Sequence, residues 1–284
     1  MLYKNEEWLK NMYNKYGSSY IAKKCNVTDK TIIYWLNKFN IKVRTRKESL
    51  EITSARKYKV DENYFNKIDT KEKAYWLGFL MADGTVREYK KNRYQLTFEL
   101  KSTDSYIIEE FNQNIKSNYN LIKNKSRCRL IITNSKFVLN IIKHGVIPHK
   151  SGQEIFPDIK QEFNKDFIRG FFDGDGSIQF KNNGTRIRSK FHLVSCSKTI
   201  LKKIKEVFEQ EAKVKFTEKS LHLKTNTNHI YELETSSLTE IAKIYDYLYY
   251  DNCLNLIRKE NIFKDFLTYY KTSNRLIKRY SPNH

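Results

Sequence analysis

Trp76-Leu77-Gly78-Phe79-Leu80-Met81-Ala82-Asp83-Gly84 and Ile168-Arg169-Gly170-Phe171-Phe172-Asp173-Gly174-Asp175-Gly176 are two versions of one nine-residue pattern. Each is an apolar run with small residues four apart, Gly78 and Ala82 in the first, Gly170 and Gly174 in the second, closed by Asp-Gly. Residues four apart share a helix face, so the small stripe lets another helix backbone approach closely. If the two runs pack on each other, their C-terminal ends bring Asp83 and Asp175 together. The helix dipole is negative there, so a carboxylate is disfavoured, and a divalent cation reverses that cost.

The chain has 284 residues, a formal net charge of +21 and a pI near 9.6. Its Lys and Arg are spread among 20 Tyr and 17 Phe, which points to a nucleic-acid partner. Two converging carboxylates on such a basic chain suggest metal-dependent chemistry on a polyanion. No run of about 18 apolar residues occurs, so no membrane span is expected. The first residues carry Lys4, Glu6 and Glu7 without an apolar core, unlike a signal peptide. Cys25, Cys128, Cys196 and Cys253 are isolated, and read as reduced thiols of a cytoplasmic protein.

The pattern outside the nonamers divides the chain into five parts. Residues 1–45 read as a small all-α domain. Helices are expected over 6–16, 18–25 and 28–39, with Thr28 as N-cap and Asn26 in a left-handed turn. Residues 46–68, with Arg46, Lys47, Arg56 and Lys57, read as a basic linker. Residues 69–158 and 159–268 read as two copies of one unit, each ordered helix, two strands, helix, two strands, helix. Strands are expected over 85–88, 94–100, 121–123 and 129–133 in the first copy. The second should have strands over 177–181, 190–195, 213–218, 220–224 and 229–233. Residues 269–284 read as a basic tail. A repeat of this length is a duplicated domain rather than a solenoid.

The paired nonamers and their matching sequels resemble the single-chain LAGLIDADG homing endonucleases, and residues 18–39 resemble a helix-turn-helix. The fold implied is α+β: a duplicated αββαββα unit with pseudo-two-fold symmetry, preceded by the small helical domain. The resemblance implies that Asp83 and Asp175, at the eighth motif position, bind metal, with the backbone carbonyls of Ala82 and Gly174 as further ligands. The sixth position, often Asp in that family, is Met81 in one copy and Asp173 in the other. Residues 145–151 and 256–259 resemble the segments that carry a basic residue near the scissile phosphate, which picks out Lys150 and Lys259. Ser102 and Ser197 fall where the family often places a water-orienting polar residue.

The implied activity is a site-specific, staggered double-strand break in DNA, as by a monomer acting in intron homing. Mg²⁺ or Mn²⁺ suits oxygen ligands, and Ca²⁺ is expected to support binding without cleavage. Each sheet can lie in a major groove, where alternating polar side chains read base edges. Gln95, Thr97, Glu99, Arg127 and Arg129 are expected to line the first sheet, and Lys181, Arg186, Arg188, Lys190 and His192 the second. A one-residue slip would swap these faces. Thr28, Asp29, Lys30, Thr31 and Tyr34 lie on the early, exposed part of the third helix and are expected to touch DNA. Two other readings share the fold: an RNA maturase acting on its own group I intron, and a DNA-binding regulator without catalysis. A regulator of that kind normally lacks an eighth-position acid, and both acids are present here.

Overall fold

The structure is a computed structural model that describes residues 1–46, 48–49, 58–184, 186–227 and 229–280, with only the backbone described for 273–280. It divides into two compact units, residues 1–59 and 60–284. Of the linker residues singled out above, Lys47, Arg56 and Lys57 lie outside the described residues, as do 281–284. Among the described residues no helix is long and apolar enough to cross a membrane.

The first unit packs three helices, α1 (Glu6–Lys15), α2 (Ser18–Cys25) and α3 (Asp29–Lys38). Asn5 caps α1 by accepting from Trp8 N at 2.8 Å, and Thr28 caps α3 by accepting from Thr31 N at 3.3 Å. Asn26 adopts φ 52°, which lets Val27 N reach back to Ala22 O at 3.0 Å and stop α2. Leu9, Tyr13, Ile21, Ala22, Ile32 and Leu36 form the core of this unit.

The second unit is written twice, in the expected order. The first copy runs α4 (Lys71–Asp83), β1 (Gly84–Lys90), β2 (Arg93–Lys101), α5 (Ser105–Asn114), β3 (Leu121–Lys123), β4 (Arg127–Ile132) and α6 (Ser135–Ile142). The second runs α7 (Asn164–Asp175), β5 (Gly176–Asn182), β6 (Ile187–Ser195), α8 (Lys198–Glu211), β7 (Leu221–Leu223), β8 (Tyr231–Thr235) and α9 (Leu238–Leu248). The final helix, α10, spans Ile257–Tyr280. Each copy forms an antiparallel four-stranded sheet, ordered β1-β2-β4-β3 and β5-β6-β8-β7. In each sheet the alternate apolar residues, such as Leu96 and Phe98 or Phe191 and Leu193, are buried under helices, and the other face is turned to solvent.

Three expectations change. The segment 213–218 is not a strand. Lys213 adopts φ 54°, Val214 N closes back on Phe208 O at 3.1 Å, and Lys215 N donates to Glu240 at 2.5 Å. The segment therefore ends α8 with a left-handed cap, and the amides of Val214, Lys215 and Thr217 bond to Phe208, Glu240 and Ser220 instead of to a strand. Residues 60–68 are not linker: Phe65 and Ile68 are buried in the core of the second unit, with Val60 and Tyr64 packed on it. The tail also starts later, because 269–280 continue α10. Phe180 on β5 explains part of that helix. Its ring lies 5.8 Å from Phe266 and 5.7 Å from Tyr269, so α10 covers it.

Candidate active site

The centre of the second unit is the contact between α4 and α7. From Ala74 to Ala82 every residue of α4 is buried, so the helix is apolar all round. The small residues set the distance between the two backbones. A Cβ on Gly78 would lie 2.0 Å from Phe167 O, and one on Gly170 2.0 Å from Tyr75 O. A Cβ on Gly174 would lie 2.3 Å from Ala82 Cβ. No side chain fits at these three points, so the helices cross backbone to backbone.

That crossing brings the two eighth-position acids together. The Cβ position of Gly174 is 3.3 Å from Asp83 Oδ2, and the charge of Asp83 acts on Asp175. Burial pushes the Asp175 carboxyl up to about 6, and Asp83 pushes in the same direction against Lys150 and Lys259. Burial also raises Asp83, opposed by Lys259, Lys150 and Arg258. Both side chains are half-buried, yet neither has a hydrogen-bond donor among the described residues. Two desolvated like charges without donors are the electrostatic signature of a cation site. Their oxygens suit a hard divalent ion such as Mg²⁺.

The two lysines reach the site differently. Lys150 donates one bond, to Ala82 O at 2.8 Å, so this carbonyl is already engaged by an ammonium. Lys259 is buried and donates to Phe172 O at 2.6 Å, Asp173 O at 2.8 Å and Gly176 O at 2.6 Å. All three of its protons satisfy carbonyls at the end of α7, so Lys259 is a C-terminal cap of that helix. Burial lowers its pKa to about 8 against the pull of Asp173. Gly174 O accepts no hydrogen bond from either lysine. Ser197 caps α8 through Ile200 N and donates to Glu154 O at 2.6 Å, while Ser102 donates to Lys125 O at 3.0 Å. Both serine hydroxyls therefore hold backbone.

Two buried residues at the motif carry roles that the motif reading left unassigned. Asp173 Oδ2 accepts from Tyr75 OH at 2.9 Å and from Leu256 N at 2.8 Å, which ties α7 both to α4 and to the start of α10. Burial pushes its carboxyl up to about 6. Arg169 donates to Leu254 O at 2.6 Å, Leu248 O at 2.7 Å and Asp166 Oδ1 at 2.7 Å, between the rings of Tyr75 and Tyr250. An arginine inside an apolar nonamer was the available signal, since a buried guanidinium needs carbonyls and a carboxylate around it. The copies are further stitched by Arg258 Nε to Asp104 at 3.0 Å and by Ile257 N to Tyr106 OH at 2.8 Å.

On β2 the expected contact residues alternate with the core, but Gln95 is itself buried and only Thr97 and Glu99 are partly open to solvent. Gln95, Thr97 and Glu99 alternate with buried Leu96 and Phe98, and Glu99 stands opposite Arg129. They form a connected surface: Arg87 donates to Gln95 at 3.1 Å, Gln95 to Thr97 at 3.2 Å, and Glu99 pairs with Arg127 at 2.9 Å and with Arg129. In the second sheet Arg188, Lys190 and His192 share the solvent face, with Lys181 opposite Arg188. Arg186 is exposed but precedes β6, in the hairpin turn rather than the ladder. Burial and Lys190 lower the pKa of His192. In the first unit Thr28, Asp29, Lys30 and Tyr34 are exposed and Thr31 half-buried, and Asp29 accepts from Ser19 at 2.6 Å.

A family model described as a LAGLIDADG-like domain matches residues 162–249. No curated protein matches the sequence significantly. Among solved structures, the LAGLIDADG homing endonuclease I-GzeII in complex with its DNA target aligns with a TM-score of 0.49 at 12% identity, over 72% of this chain and 91% of that one. The I-LtrWI LAGLIDADG homing endonuclease bound to target DNA gives 0.49 at 13%, over 75% and 92%. Mesophilic variants of the homing endonuclease I-DmoI give 0.45 at 18%, over 69% and 96%. Residues 162–249 thus match the LAGLIDADG-like domain model, and the first copy repeats their order of helices and strands across the α4–α7 contact.

Proposed function

We propose that this protein is a site-specific DNA endonuclease that makes a metal-dependent, staggered double-strand break. The observation that carries the reading is the convergence of Asp83 and Asp175, desolvated and without donors, at the end of a backbone-to-backbone helix crossing in a chain of net charge +21. Asp83 and Asp175 would hold Mg²⁺ or Mn²⁺, with Gly174 offering a carbonyl, while Ala82 O would serve only if Lys150 released it. When bound, the metal supplies Lewis-acid activation of water and stabilisation of the leaving oxygen. The protein does the rest. Lys150, half-buried, keeps two protons beyond its bond to Ala82 and would donate to a phosphate oxygen. Lys259 offers its charge rather than a hydrogen bond, because its protons are held by α7.

The two solvent faces would lie along the major groove and read about 20 base pairs. Glu99 holds Arg127 and Arg129 in place for that purpose. The exposed start of α3 would add contacts at one end of the site, so that deletion of residues 1–59 shortens the footprint. The reading is tested with the full chain, Mg²⁺ and a randomised duplex library, by sequencing the cut ends. One long recurrent target with 3′ overhangs is expected. Absence of cutting in both Mg²⁺ and Mn²⁺, with duplex binding intact, would leave the regulator reading.

A further inference from the structure

The solvent face of the second sheet, which the proposed function lays along the groove, also carries a group of side chains with metal-ligating atoms. Glu232 and Glu234 lie two apart on β8 and share a face. His192 on β6 stands opposite Glu234, and His222 on β7 opposite Glu232. One ligand atom from each of His222, Glu232 and Glu234 lies within 4.8 Å of the others.

The imidazoles are oriented for more than packing. His222 Nδ1 is 3.1 Å from Lys219 O, a contact that a ring nitrogen makes only as a donor. In the neutral ring that leaves a lone pair on Nε2, which faces a Glu232 oxygen at 3.7 Å. Either the proton of an imidazolium paired with Glu232 or a bound dication reconciles the two acceptors, and metal titration tells these apart. A carbonyl on the far nitrogen is also the usual outer-shell partner of a metal-binding histidine. His192 Nδ1 is buried with no hydrogen-bond partner. The simpler account is cross-strand ion pairing, Lys190 with Glu234 and Lys224 with Glu232 at 3.3 Å. Those pairs neutralise the carboxylates but supply neither imidazole with a donor.

We propose that His222, Glu232 and Glu234 form a site for a borderline transition-metal dication of the Zn²⁺, Co²⁺ and Ni²⁺ class. Mixed nitrogen and oxygen donors favour these ions over Mg²⁺. Two ligands come from β8 and one from its neighbour β7, and Lys190 and Lys224, which pair with the two carboxylates, have flexible stems. The site is separate from Asp83 and Asp175 and does not depend on nuclease activity.

The probe is Co²⁺, titrated into tag-free full-length protein in saturating Mg²⁺ and followed by its visible d–d absorption. We expect one Co²⁺ per chain with the spectrum of a nitrogen-ligated site, displaced by Zn²⁺ and retained in the Asp83→Asn, Asp175→Asn double variant. His222→Ala and Glu234→Gln should each weaken Co²⁺ binding at least about tenfold, in line with the sensitivity of such sites. Lys190→Met, which removes a competing cation, should strengthen it. Absence of a d–d spectrum in the wild type overturns the proposal. So does an unchanged affinity in both His222→Ala and Glu234→Gln, with circular dichroism confirming that the variants are folded.

Discussion

The two copies solve the same problem at the sixth motif position with different chemistry. In the first, Met81 lies against the connection that leads to Lys150: its Cε is 3.3 Å from the Cβ position of Gly145, which has φ 97°. In the second, Asp173 accepts from the backbone of Leu256, in the connection that leads to Lys259. The difference propagates to the lysines. Asp173 supplies the opposing charge that lets Lys259 be buried, while Lys150 stays half-buried with one bond, to Ala82 O. One duplicated backbone thus holds a half-buried lysine with one carbonyl partner and a buried lysine with three. The outer strands differ in the same spirit. Glu88 on β1 bonds the backbone of Asn92 in solvent, whereas Phe180, at the corresponding place on β5, is covered by α10.

Asp83→Asn and Asp175→Asn probe what the copies share, and the largest effect is expected there. Each should reduce single-turnover double-strand cleavage in Mg²⁺ at least about a thousandfold, because the lost charge is needed by the metal. Filter binding in Ca²⁺ should change little. If one variant still nicks one strand at the wild-type rate, the two centres act independently. Double-strand cleavage by both variants would remove the metal assignment.

Asp173→Leu against Met81→Leu breaks the comparison at its root. The first leaves Lys259 buried without its carboxylate and Tyr75 OH and Leu256 N unpaired, which should cost about 3–5 kcal/mol in denaturant unfolding. The second conserves volume and polarity and should cost under about 1.5 kcal/mol. Equal costs would mean that Asp173 does not support Lys259.

Lys259→Met and Lys150→Met separate cap from phosphate contact. Loss of three carbonyl partners near a buried helix end should destabilise by about 3 kcal/mol, against less than about 1 kcal/mol for Lys150. Lys150→Met should instead slow cleavage with affinity nearly kept, measured as single-turnover rate and binding at two salt concentrations. An unchanged cleavage rate would remove Lys150 from the chemistry.

Asp175 also predicts a pH effect with a definite sign. Its folded pKa, about 6, is raised above the ordinary carboxylate value of 3.8. The folded state therefore binds more protons than the unfolded state between these values. The contribution is fully present below pH 3.8 and lost as pH rises through 6. Without metal, Asp175→Asn should raise stability at pH 7 by about 2 kcal/mol, with the gain shrinking toward pH 4. Mg²⁺ should stabilise the wild type but not the variant. A variant no more stable than wild type at pH 7 would mean that the carboxylate is well solvated.

Phe180→Ala against Glu88→Ala gives the smallest difference. Losing the ring under α10 should cost about 2 kcal/mol, and losing the exposed carboxylate under about 1 kcal/mol. Calorimetry of the two variants measures the gap, and equal melting shifts would show that α10 gains little from Phe180.

Local chemistry explains what could be read without coordinates. The duplication, the motif helices, the Thr28 cap, the left-handed Asn26 and the solvent face of β2 all follow from spacing within one element, where periods of 3.6 and 2 decide which way a side chain points. The stripes Gly78–Ala82 and Gly170–Gly174 carried the helix crossing and with it the meeting of Asp83 and Asp175. Lys213 was misread because a β-like run of Lys, Val and Phe says nothing about a cap closing on Phe208. Phe65 and Ile68 were lost in a polar stretch, since burial there depends on helices distant in sequence. The repeat, the two motif acids and the basic charge are legible as patterns of residue type along the chain. The capping of α7 by Lys259, the ties that Arg169 and Asp173 make, and the meeting of His222, Glu232 and Glu234 are not. Each of these depends on desolvation and on partners from other elements, which no local period encodes.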